Sequence, residues 1–184
     1  IDENTKDFSI ERIICSGLPR TLQTAEHIAS RREITIECFP LLKEYEWDPD
    51  LLKDTKIERF GYLFEDSLAK EMIGGTEDAD EFYRRITCQL ETIIKEDWSE
   101  MAAFLHGAVN AAIMCWVNDV DISFASKYDQ DHAALNIIDI DINKKGKIVR
   151  KILKRYNIPP NLSSIGSDMR SSWENTASKI ANLK

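Results

Sequence analysis

Two short apolar runs, each broken by a tight turn and followed by a helix-forming stretch, restrict what this chain can fold into. The first is Ile13-Ile14-Cys15-Ser16-Gly17-Leu18-Pro19-Arg20-Thr21-Leu22-Gln23-Thr24-Ala25-Glu26, and the second is Phe104-Leu105-His106-Gly107-Ala108-Val109. A strand that turns directly into a helix belongs to an α/β sheet, where ligands collect at the carboxyl ends of the strands. Two such turns are therefore expected to face one pocket. The surrounding sequence keeps the same alternation. Residues 10–15 and 34–39 read as short strands on either side of a helix over 21–32, which places Leu22, Ala25, Ile28 and Ala29 on one face. From Asp78 to about Glu96, Phe82, Ile86, Leu90 and Ile93 recur at helical spacing, with acids crowding the first turn.

Further on, residues 101–105 read as a buried strand and 108–117 as a helix apolar on most sides, packed inside the domain. Residues 134–142 alternate, putting Ile138, Ile140 and Ile142 on one face, and Asn143-Lys144-Lys145-Gly146 signals a hairpin into a strand over 147–156. The expected architecture is a three-layer α/β/α domain with a mixed, mostly parallel sheet over residues 1–160. Pro159-Pro160 closes it, and a linker with an amphipathic helix carrying Met169, Trp173, Ala177 and Ile180 follows over 161–184.

The turns also carry chemistry. An arginine fork donates two parallel hydrogen bonds to a phosphoryl group and keeps its charge at any working pH. Arg20 stands at such a turn. His106, at the other, can donate a hydrogen bond or move a proton near neutral pH, and Gly107 admits a ligand close to the backbone where the next helix opens its free N–H groups. Each residue has a plainer reading: a buried histidine with satisfied nitrogens, and a solvated arginine.

The stretch Ser16-Gly17-Leu18-Pro19-Arg20-Thr21-Leu22-Gln23-Thr24-Ala25 resembles the second signature of the histidine phosphatase (phosphoglycerate mutase-like) superfamily, S-x-L-x-R-A-x-x-T-A, departing from it only at Thr21. His106-Gly107 is similar to the family's late H-G motif. Leu42-Lys43-Glu44 resembles its L-x-E segment, and Gly74-Gly75-Thr76-Glu77 with Arg85-Ile86 resembles, less closely, its G-G-E-S…R-V stretch. The resemblance implies that Arg20 clamps a phosphoryl group, that His106 and Gly107 bind it from the far side, and that Glu44 protonates the leaving oxygen. The plain reading of Glu44 is a solvated loop acid beside Glu46 and Asp48. The resemblance further implies the phosphatase branch, with phosphomonoester hydrolysis through a phosphohistidine and no cofactor or metal: Arg20 and the histidines balance the charge that Mg²⁺ balances elsewhere.

The family's nucleophile is a histidine in an R-H-G motif on a strand upstream of the arginine turn. No residue before Arg20 is a histidine, and the sequence begins at Ile1. The expectation is a chain lacking that strand and helix, and inactive alone. No other residue fits the role. Cys15 lies too close to Arg20 for a cysteine-phosphatase loop, in which five residues separate the two, and Pro19 lacks an N–H; Cys15 reads as a small apolar strand residue. His27 reads as an exposed helix position and His132 as a loop residue capping a strand. The alternative is a non-catalytic member that binds a phosphorylated ligand or a protein, and a chance match would leave Arg20 and His106 mattering for folding alone.

Composition sets outer limits. A net charge of −8 argues against nucleic acid as a partner, yet leaves room for a small phosphorylated substrate or a phosphoprotein, since local fields govern a pocket. The lysine- and arginine-rich run over 144–155 reads as a solvated sheet edge. The longest apolar run, 101–117, is too interrupted to cross a bilayer. The four cysteines, Cys15, Cys38, Cys88 and Cys115, stand far apart without a C-x-x-C pair, as expected of reduced thiols in a cytoplasmic protein rather than a disulfide frame.

Overall fold

The structure, a computed structural model, describes residues 5–46 and 77–160. The glycines of the Gly74-Gly75-Thr76 stretch, Pro49 and the expected helix in 161–184 lie outside these residues. Strand β1 (Arg12–Cys15) is the middle of a parallel three-stranded sheet, flanked by β2 (Ile36–Cys38) and β3 (Met101–Phe104). Its register is set by Ile13 opposite Ile36 and Ala102, and Cys15 opposite Cys38 and Phe104.

Successive side chains of a strand point to opposite faces, and β1 uses both. Ile13 packs with Ala25, Ile28 and Ala29 of helix α1 (Pro19–Arg32) on one face. Ile14 joins the larger core on the other, built by helices α2 (Ala79–Ile94) and α3 (Gly107–Val117). These are the layers of an α/β/α domain. Helix α1 starts at Pro19, whose missing N–H costs nothing at a helix's first position, and ends at Glu33 in the left-handed region. Thr21 rather than Leu22 completes its buried face. Helix α2 is capped by the Asp78 carboxylate, which accepts from the Asp80 N–H at 2.8 Å, and buries Phe82, Ile86, Leu90 and Ile93 as their spacing predicts. In α3 every residue from Ala108 to Val117 except Asn110 is buried.

Two expectations need correction. Strand β3 is half-buried, with Ala103 exposed, because among the described residues it pairs only with β1 and leaves its other edge open. Ile138 and Ile140 pack against the α2–α3 core as expected, and Ile142, paired with Ile148 at the end of the hairpin, is 40% exposed. That strand, β4 (Leu135–Ile142), pairs antiparallel with β5 (Ile148–Ile158) through the expected turn, where Gly146 adopts φ +74° and its N–H donates to the Asn143 carbonyl at 2.9 Å. The basic run on β5 is not wholly a solvated edge either. Lys151 is 14% exposed; its ammonium lies 4.6 Å from the centre of the Trp116 ring and pairs with Asp119.

Candidate active site

The turn after β1 and the turn after β3 meet at the carboxyl end of the sheet, as parallel neighbours must. Gly17 makes the first turn possible: it sits at φ +83°, a conformation that costs a residue with a side chain. The turn returns the chain so that Ser16, Arg20 and Thr21 face His106. Ser16 Oγ lies 2.7 Å from His106 Nε2 and 2.9 Å from Thr21 Oγ1, and Arg20 Nε donates to His106 Nδ1 at 3.1 Å. Ser16, Thr21 and His106 are buried, whereas Arg20 is exposed.

The direction of every proton in this chain of contacts follows from its two ends. Arginine can only donate, so His106 Nδ1 is an acceptor and the imidazole carries its proton on Nε2. Nε2–H therefore donates to Ser16 Oγ. At the far end Thr21 donates to the Leu18 carbonyl at 2.9 Å, so its oxygen is left to accept from the Ser16 hydroxyl. The Leu18 N–H adds a second donor to Ser16 Oγ at 3.3 Å. Burial, and then the field of Arg20, lower the His106 pKa to about 4, so the ring is neutral at pH 7.

Glu44 is half-buried. It follows a short 3₁₀ turn (Pro40–Leu42) after β2, and its carboxylate accepts from the Tyr45 N–H at 3.1 Å. Burial pushes its pKa up, opposed by that N–H, by the Arg20 charge and by the N–H groups of Ala108 and Val109 at the start of α3. The loop carrying it is fastened by Arg85 of α2. Arg85 grips Glu77 with two bonds of 2.6 and 2.7 Å, and its remaining Nη donates to the carbonyls of Lys43, at 3.2 Å, and Leu41. Tyr45 hydroxyl donates to the Glu77 carbonyl, and the Tyr45 ring packs edge-on against Phe82 at 5.2 Å.

Sequence reasoning brought Arg20, Glu44 and His106 forward, and all three surround the opening of α3. Gly107 begins that helix, and a Cβ built on it would meet nothing within 4 Å among the described residues. Ser16, Thr21 and Arg85 were legible only as letters of a pattern; their bonds depend on residues up to 90 positions away. His27 is exposed on α1, and His132 is exposed in the turn before β4. Among the described residues no cluster of three His, Cys, Asp or Glu could hold a metal ion, and no helix is long and apolar enough to cross a membrane. A separate groove runs along α1 between His27, Glu33 and Ile36.

The sequence profile of the histidine phosphatase superfamily (branch 1) matches residues 2–152. The chain belongs to that superfamily. A comparison with curated proteins found no match. Among solved structures, the alpha-ribazole phosphatase from Shigella flexneri aligns with 85% of this chain and 79% of its own, at 18% identity and a TM-score of 0.62. A mycobacterial hydrolase aligns with 98% of this chain and 80% of its own at 16% identity and a TM-score of 0.72. Mycobacterial glucosyl-3-phosphoglycerate phosphatase aligns with 85% and 81% respectively, at 16% identity and a TM-score of 0.69. The histidine phosphatase fold is common to all of them.

Proposed function

We propose that this chain supplies the Arg20, Glu44 and His106 part of a phosphomonoester hydrolase site, taking a small phosphorylated substrate or a phosphoprotein. The observation that carries the reading is the meeting of Arg20 with a neutral His106 at the opening of α3, beside a carboxyl whose pKa burial raises. Arg20 spends its Nε on His106, and its exposed guanidinium is free to fork around a phosphoryl group. Glu44, kept near its proton, is the donor to the departing oxygen. Two of the solved structures named above are phosphatases, which supports the same class of reaction.

In this reading the anion brings a proton with it. His106 Nδ1 presents a lone pair, which repels a phosphate oxygen; a dianion that takes Arg20 from the ring can bond Nδ1 only once that nitrogen is protonated. The phosphohistidine itself needs a further histidine, the one the family's R-H-G motif carries. A second reading, a phosphate-binding member without turnover, is favoured by one observation. Of the three histidines in the sequence, two are exposed away from Arg20 and the third is bonded at both nitrogens.

Calorimetry with orthophosphate and vanadate separates the readings. Binding should take up protons, seen as heats that differ between buffers of different ionisation enthalpy, and should weaken strongly in Arg20→Ala and His106→Ala. Turnover of an aryl phosphate supports the hydrolase; binding without turnover supports the second reading. No binding at all overturns both.

A further inference from the structure

The cysteines that stand far apart in sequence are not all apart in space. Cys15 ends β1 and Cys38 ends β2, and the parallel register makes them direct partners, so both side chains leave the same face of the sheet. Their sulfurs are 3.6 Å apart and both are free thiols. Cys15 is wholly buried and Cys38 is exposed. The pair also touches the turn that holds His106. The Gly17 N–H donates to Cys15 Sγ at 3.4 Å, Gly17 Cα backs onto Cys38, where a Cβ would come within 3.6 Å of Cys38 Cβ, and Ser16 follows Cys15 directly.

We propose that Cys15 and Cys38 are a reversible two-thiol modification site, closed to a disulfide by hydroperoxides, and that closing it displaces the Ser16–Gly17 turn and loosens His106. The exposed thiol reacts first. Cys38 thiolate attacks one oxygen of hydrogen peroxide and breaks the O–O bond, giving Cys38 sulfenic acid and a hydroxide that leaves as water. Cys15 thiolate then attacks the Cys38 sulfur, the S–O bond breaks, and a second hydroxide leaves as water. Two thiols and one peroxide give one disulfide and two waters, with both electrons of the oxidation accepted by the peroxide. An external dithiol reverses it by exchange.

The geometry favours the second step, because the resolving sulfur is already in contact with the first. It also fixes the consequence. A disulfide requires a sulfur separation of about 2.05 Å, so roughly 1.5 Å must be taken up locally. Cys15 Sγ is then drawn off the Gly17 N–H, and the strain reaches the next residue, Ser16, whose hydroxyl accepts the His106 proton. This inference does not rest on the hydrolase reading, since neither the bond nor the histidine response requires a substrate.

The test uses the full chain treated with stoichiometric hydrogen peroxide, then denatured and alkylated. Intact mass should show two alkylated cysteines instead of four and the loss of two hydrogens, with peptide mapping joining residues 15 and 38. Imidazole NMR signals of His106 should shift on oxidation and return with dithiothreitol, while those of the exposed His27 and His132 stay in place. Cys38→Ser should abolish both changes, and Cys88→Ser neither. Peroxide that leaves four free thiols, drives Cys38 to sulfinic acid without a bond, or joins the pair without moving the His106 signals would overturn the proposal.

Discussion

Two arginines mark the two ends of β1, and their surroundings are opposite. Arg12, at the amino end, is saturated by carboxylates: it grips Glu37 with bonds of 2.7 and 2.8 Å and reaches Glu96 at 2.5 Å. Arg20, just past the carboxyl end, bonds a neutral imidazole. The first charge is cancelled within the fold, and its bonds hold the Glu37 carboxyl below the usual carboxylate range. The second is exposed and is opposed by Glu44, a group that burial inclines toward its neutral form. The same residue type thus serves the sheet at one end and is left over for an anion at the other.

Acid should expose the difference most strongly. His106 has a folded pKa of about 4 against an ordinary 6.5, so the unfolded chain binds the proton more readily. Its contribution is fully present above pH 6.5 and is lost as pH falls toward 4, a change of about 3 kcal/mol in urea unfolding experiments. Glu44 has the opposite sign, gaining stability as pH falls through its raised pKa, so the slope is best read in Glu44→Gln. The amino end fails later. Glu37, with its pKa lowered, loses its contribution only below its ordinary 4.5. A single loss confined to the region below pH 4.5 would remove His106 from the account.

Next in size is the exchange of roles between the arginines. Arg20→Ala should weaken orthophosphate binding roughly 100-fold, the equivalent of one or two charge-assisted bonds, with the melting temperature nearly unchanged. Arg12→Ala should do the reverse, costing about 1–2 kcal/mol of stability, since its partners are half-exposed and screened, while leaving phosphate affinity intact. If both substitutions shift the same property, the comparison is wrong. The smallest effect belongs to Thr21→Ala, which strips the Ser16 hydroxyl of its buried acceptor and should cost about 1 kcal/mol. Thr21→Ser, which keeps the oxygen, should restore most of that loss in thermal melts.

The layered fold was readable because periodicity reports burial. Phe82, Ile86, Leu90 and Ile93 line α2 as their spacing implies, and the apolar run at 108–117 is an inner helix. Errors arose where a neighbour decides exposure. Nothing in Met101-Ala102-Ala103-Phe104 tells whether a strand lies on its far side, and nothing in the basic run of β5 tells that Lys151 lies over the Trp116 ring. Arg20, Glu44 and His106 were accessible through motifs. Thr21 was visible only as a mismatch, and the structure shows why the mismatch is tolerated: its hydroxyl enters the Ser16 network instead of lying unsatisfied in the core. Cys15 and Cys38 escaped notice because register, which a single sequence does not display, makes them neighbours.

The contact of 2.7 Å between Ser16 and His106 has the look of a serine hydrolase dyad, and its polarity removes that possibility. A serine becomes a nucleophile when a histidine nitrogen accepts its proton. Here the histidine nitrogen facing Ser16 is the donor, the serine proton points to Thr21, and the line ends on a backbone carbonyl that cannot pass a proton on. Ser16 is therefore chemically mute, and a fluorophosphonate probe that labels serine hydrolases should leave it untouched.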